Sequence, residues 1–155
     1  MAAFWMTNRV ANPVLRRLLR TRAGRVLGRR LAVLRYTGRR TGRPRELVCT
    51  YARDGATVWV LVAGSERKVW WRNLREPAQV ELRLGGEHVR AQAVALEGDE
   101  RPQECATGLA VYLAAVPQAR RSLGLPAGAD ETAIAEAARR AVLVRADITS
   151  DRPST

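Results

Sequence analysis

Histidine, lysine, cysteine and early acidic residues are what this sequence has least of. His88 is the lone histidine, which excludes a multi-histidine metal centre, and no metal is expected. Cys49 and Cys105 lie far apart with no Cys-x-x-Cys spacing, so neither a zinc site nor a disulfide framework can be assembled. No apolar run approaches the roughly 20 residues that cross a bilayer. The apolar cluster near Met1 lacks the continuous core and cleavage site of a signal peptide. A cytoplasmic place follows as the expectation. The chain also offers no Ser/His/Asp set and no paired buried carboxylates. Lys68 is the sole lysine, and between Met1 and Arg45 there are 13 arginines and no aspartate or glutamate. The rest of the chain is close to neutral, so the net charge of +12 belongs to the first 45 residues. A field placed like that draws phosphates, polyanionic tails, nucleic acid or an anionic membrane surface.

What is present fits one domain. At 155 residues with 46% apolar composition, the chain can bury a real core but is short for two domains. Residues 1–30 read as a basic amphipathic helical segment, with Val14, Leu15, Leu18 and Leu19 on one face and Arg16, Arg17 and Arg20 around the other. Packing on its own domain is the favoured role for that segment, with peripheral membrane contact as the alternative. Residues 31–149 read as the main domain and 150–155 as a polar tail.

Within the main domain, strands are expected over Leu31–Tyr36, Arg45–Ala52, Thr57–Ala63, Gln79–Leu84 and Glu87–Leu96, with a closing strand over Ala141–Ile148. Asp54-Gly55 and Gly85-Gly86 mark hairpin turns. Thr57–Ala63 is apolar almost throughout, as in a strand buried on both faces. A helix capped by Asp99 is expected to run to about Ala115, and a shorter one capped by Asp130 to Arg140. About six mainly antiparallel strands with flanking helices make an α+β fold, most simply a partly open β-barrel.

Two stretches carry the chemistry. The first, Thr37-Gly38-Arg39-Arg40-Thr41-Gly42-Arg43-Pro44-Arg45, sets four arginines on one turn between two strands. Gly38 and Gly42 allow the turn to bend tightly and aim its N–H groups outward. Guanidinium forks match phosphate and carboxylate, so the turn reads as an anion clamp, against the plainer reading of a solvated basic hairpin tip. The second runs Gly64-Ser65-Glu66-Arg67-Lys68-Val69-Trp70-Trp71-Arg72-Asn73-Leu74. Two adjacent tryptophans cannot both face the core, so one packs inward and the other can cover a planar ligand. Ser65 stands at the end of a buried strand, where a hydroxyl can meet something bound at the sheet's edge. His88, beside a turn, reads as solvated.

The order of these pieces, with Asp54-Gly55 between them and Pro77 after them, resembles the deazaflavin-dependent nitroreductase and quinone reductase family over roughly Leu31–Leu96. The resemblance implies an FMN-binding split-barrel-like fold and coenzyme F-420, an 8-hydroxy-5-deazaflavin with a phosphodiester and an oligoglutamate tail. It implies hydride transfer to a small electron-poor acceptor, a quinone or nitroaromatic. Cofactor-binding residues would be Gly38, Arg39, Arg40, Gly42, Arg45, Ser65, Lys68, Trp70 and Asn73, with Trp71 and Tyr112 on the substrate side. The tyrosines that members active on nitroaromatics carry near the later helical region have no counterpart in Val116–Ser122. The alternatives are FMN in the same fold, or a non-catalytic carrier of FMN, haem or lipid, associated with a membrane. No nucleic-acid module surrounds the arginines, and the chain is expected as monomer or homodimer.

Overall fold

The computed structural model describes residues 31–150, so the basic segment 1–30 and the tail beyond 150 lie outside the described residues. Seven strands form a single antiparallel sheet: β1 (Leu31–Thr37), β2 (Pro44–Thr50), β3 (Ala52–Asp54), β4 (Thr57–Leu61), β5 (Ala78–Leu84), β6 (Glu87–Glu97) and β7 (Val142–Ser150). Their order across the sheet is β2-β1-β5-β6-β7-β4-β3. The edge strands β2 and β3 are consecutive in the chain, joined by Tyr51 alone. Two edges one residue apart can coexist only if the sheet curls until they meet, and β2 does lie against β4. This is the partly open barrel of the expectation. The strand count is seven because Tyr51 breaks the run Arg45–Ala52, letting it serve both edges.

The two-residue period of a strand divides the core in two. Ala32, Leu34 and Tyr36 of β1, Val80, Leu82 and Leu84 of β5, and Ala91, Ala93 and Ala95 of β6 point into the barrel. Outside it, Trp59 and Leu61 of β4 and Leu143 of β7 pack against α1 (Pro102–Ala115) and α2 (Glu131–Ala138). β4 is buried on both faces because Val58 and Val60 fill the barrel while Trp59 and Leu61 meet the helices. Its ladder ends at Leu61, two residues before the apolar run does.

α1 begins at Pro102, later than expected, and Asp99 does not cap it. Proline needs no hydrogen-bond partner for a missing N–H and suits the first helical turn, so it sets the start. Asp130 does cap α2, accepting from Ala133 N–H at 2.9 Å. A 3-10 turn, Trp70–Leu74, sends Trp71 and Leu74 into the barrel core. Among the described residues, no helix is long and apolar enough to cross a membrane.

Candidate functional site

The arginine turn joins β1 to β2, which pair in register from Leu31 opposite Thr50 to Thr37 opposite Pro44. Gly38 N–H donates to Arg43 O and Gly42 N–H to Gly38 O, both at 2.8 Å. Gly42 takes a φ of 66°, in the left-handed region where a side chain is disfavoured. Gly38 serves a different need, since a Cβ there would lie 2.9 Å from Thr41 Oγ1 and 3.3 Å from Arg45 Nε. Arg43 N–H donates to Thr41 Oγ1 at 3.3 Å and Arg39 N–H to Asn73 Oδ1 at 2.8 Å. The N–H groups of Gly38, Arg39, Gly42 and Arg43 are therefore spent inside the protein, not aimed outward as the glycines suggested. Anion recognition here falls to the guanidiniums. Arg39, Arg40, Arg43 and Arg45 are all exposed, and none is ion-paired among the described residues.

Asn73 is the hinge of the arrangement. Its carbonyl oxygen accepts from Arg39 N–H while its Nδ2 donates to Trp70 O at 2.9 Å. One half-buried side chain thus fastens the cationic turn to the tryptophan segment. Trp70 is half-exposed, and its ring lies 6.2 Å from Tyr36, tilted by 43°. Burial pushes the Tyr36 phenol up, while the Arg45 charge beside it pulls the other way. Tyr36, Trp70 and Arg45 therefore form one patch. Tyr36 went unremarked in the sequence, although its alternation with Ala32 and Leu34 placed it on the barrel side, next to the turn.

Trp71 is the tryptophan that packs inward, only 4% exposed. Its Nε1 donates to Ser65 O at 3.0 Å, and the Arg72 and Arg75 guanidiniums lie 5.7 and 5.0 Å from its ring centre. Trp71 thereby holds Ser65 and the Gly64–Lys68 turn in place. Lys68 is half-buried, and desolvation lowers its ammonium pKa. Tyr112 lies elsewhere. It sits on α1 outside the barrel, where burial pushes its phenol up, whereas Trp71 belongs to the barrel interior. The structure does not bring this expected substrate-side pair together, because the sheet runs between them. His88 is half-buried, with Nε2 3.4 Å from Glu81 Oε2. Among the described residues no group of three or more histidine, cysteine, aspartate or glutamate side chains could hold a metal.

The family model described as F-420H(2)-dependent quinone reductase matches residues 5–127. No curated protein matches the chain. Among solved structures, a protein of unknown function from Agrobacterium tumefaciens superposes with a TM-score of 0.51 at 18% identity, over 86% of this chain and 56% of that one. A domain-swapped dimer gives 0.51 at 16% identity, over 95% and 100%. An F-420-H2-dependent reductase (FDR-A) gives 0.48 at 15% identity, over 77% and 95%. At these identities the first two speak for the fold.

Proposed function

The chain belongs to the F-420H(2)-dependent quinone reductase family, and from that membership we propose that it passes a hydride from reduced coenzyme F-420 to a quinone or nitroaromatic acceptor. The observation that carries this reading is the bond from Arg39 N–H to Asn73 Oδ1 at 2.8 Å. It holds a cationic turn beside an accessible tryptophan, as suits a ligand anionic at one end and planar at the other.

The chemistry of the donor set fits the cofactor. Exposed guanidiniums with no carboxylate partner among the described residues match a phosphodiester, and Arg39, Arg40 and Arg45 would hold it on the turn shaped by Gly38 and Gly42. Trp70 offers a ring face beside Tyr36, and Ser65 and Lys68 would border the same ligand. Partial desolvation strengthens the field of the Lys68 ammonium on any nearby anion. In this reading 31–149 is the cofactor-binding domain, and arginines of 1–30 meet the tail carboxylates. When bound, the reduced deazaflavin supplies two electrons as a hydride, and a quinone takes one further proton from solvent to become the quinol. The protein's own residues bind, orient and exclude water.

Reversing the charge of Arg39 and Arg40 together, Arg39→Glu with Arg40→Glu, tests the clamp. Charge-assisted hydrogen bonds contribute about 1.5–3 kcal/mol each, so F-420 affinity should fall by at least about tenfold. Unchanged affinity in a fluorescence titration would remove the clamp from the account.

A further inference from the structure

A cavity of about 290 Å³ opens at the C-terminal end of β4. Its lining joins the apolar Leu61, Leu123 and Ala137 to the polar Ser65, Glu66 and Arg140. A second cavity, of about 310 Å³, also includes Ser65, Glu66 and Arg140, so the two adjoin at these residues. Each is near the small end of the range for small-molecule sites, roughly 300–1,000 Å³, and suits one or two fused rings.

The charge balance at the junction favours Arg140. Glu66 lies 3.9 Å from Arg67, and Glu97, which also lines the second cavity, lies 3.4 Å from Arg75. Arg140 has no ion pair among the described residues. Its backbone is well fixed: Arg140 N–H donates to Ala137 O, Ala141 N–H to Ala138 O, and Gly98 N–H to Ala141 O. Arg140 also lies beyond residue 127, where the family match ends, so family membership assigns it nothing.

We infer that this cavity takes the electron acceptor, and that Arg140 selects acceptors bearing an anionic substituent. The apolar side chains cover the ring, and the guanidinium pairs with the oxyanion. This rests on the reductase reading above and adds the acceptor's chemical class to it.

Calorimetric titration of the full chain with oxidised F-420 present tests it, using 2-hydroxy-1,4-naphthoquinone, an anion at neutral pH, and its neutral 2-methoxy counterpart. The hydroxyquinone should bind about tenfold tighter. Arg140→Ala should abolish that preference with little change for the methoxy compound, and Arg140→Lys should keep part of it. Arg83→Ala removes an exposed arginine outside both cavities and should leave the preference intact. Absence of a preference in the wild type, its survival in Arg140→Ala, or its equal loss in Arg83→Ala would overturn the inference. F-420 binding measured on the same samples separates the two levels. Bound cofactor with no preference rejects the Arg140 assignment alone, whereas absence of F-420 binding rejects the reductase reading and the inference with it.

Discussion

Replacing Asn73 by alanine removes both bonds that tie the arginine turn to the tryptophan segment, at 2.8 Å to Arg39 N–H and 2.9 Å to Trp70 O. Neutral hydrogen bonds contribute about 0.5–1.5 kcal/mol each on balance. The Arg39 bond lies at the surface, where water can replace the lost acceptor, so it belongs at the lower end. The Trp70 carbonyl is partly buried and leaves a less readily solvated acceptor. Together the loss of stability should be about 1–2 kcal/mol, which lowers the melting temperature of a domain this size by roughly 3–8 °C. The effect on the ligand should be separable from that. A turn no longer held in place must be ordered on binding, and that entropic cost should weaken F-420 by about tenfold even well below the melting temperature. Fluorescence titration at 15 °C alongside a thermal melt reads both quantities. A variant that melts early yet binds F-420 as tightly as the wild type would refute the role given to Asn73.

Gly108→Ala should also destabilise, because a Cβ at that point of α1 would overlap the Trp59 ring. Overpacking of this kind costs about 1–3 kcal/mol, visible as a lower urea midpoint with an unchanged slope. Burial, helped by the neighbouring Glu104 charge, pushes the Cys105 thiol from its ordinary 9.0 up to about 11, and burial pushes Cys49 up to about 12. The native state therefore keeps protons that the unfolded chain gives up, so stability is fully present below pH 9 and is lost as pH rises towards 11. Melting temperatures should be level from pH 7 to 8.5 and fall steadily above pH 9. A level profile through pH 11 would contradict this.

Strand patterning was the most legible part of the chain. Val80, Leu82 and Leu84 alternate with Gln79, Glu81 and Arg83, and the fold buries the first set inside the barrel. β4 could be recognised as buried on both faces because every residue after Thr57 in it is apolar. Pattern alone did not show that Tyr51 interrupts a continuous β-like run, since the break is imposed by closure of the sheet. Asp99 has the chemistry of a cap, but Pro102 three residues later decides where α1 starts. At the candidate site, the two stretches were visible as motifs, while the bond that joins them spans 34 residues of sequence. Which tryptophan packs inward was open for a similar reason. The 3-10 turn rotates adjacent side chains to different sides, and contact with the barrel selects Trp71. Arg140 gave no sequence signal, because its position depends on α2 folding back towards the end of β4.

A site built for a phosphate-bearing deazaflavin is tested by fluorescence titration of the full chain with F-420 and with FMN at the same ionic strength. F-420 should bind saturably at micromolar concentration or below, clearly tighter than FMN, and binding should be lost in the Arg39→Glu, Arg40→Glu double variant. FMN binding as tight as F-420, or F-420 binding indifferent to those two arginines, would contradict it.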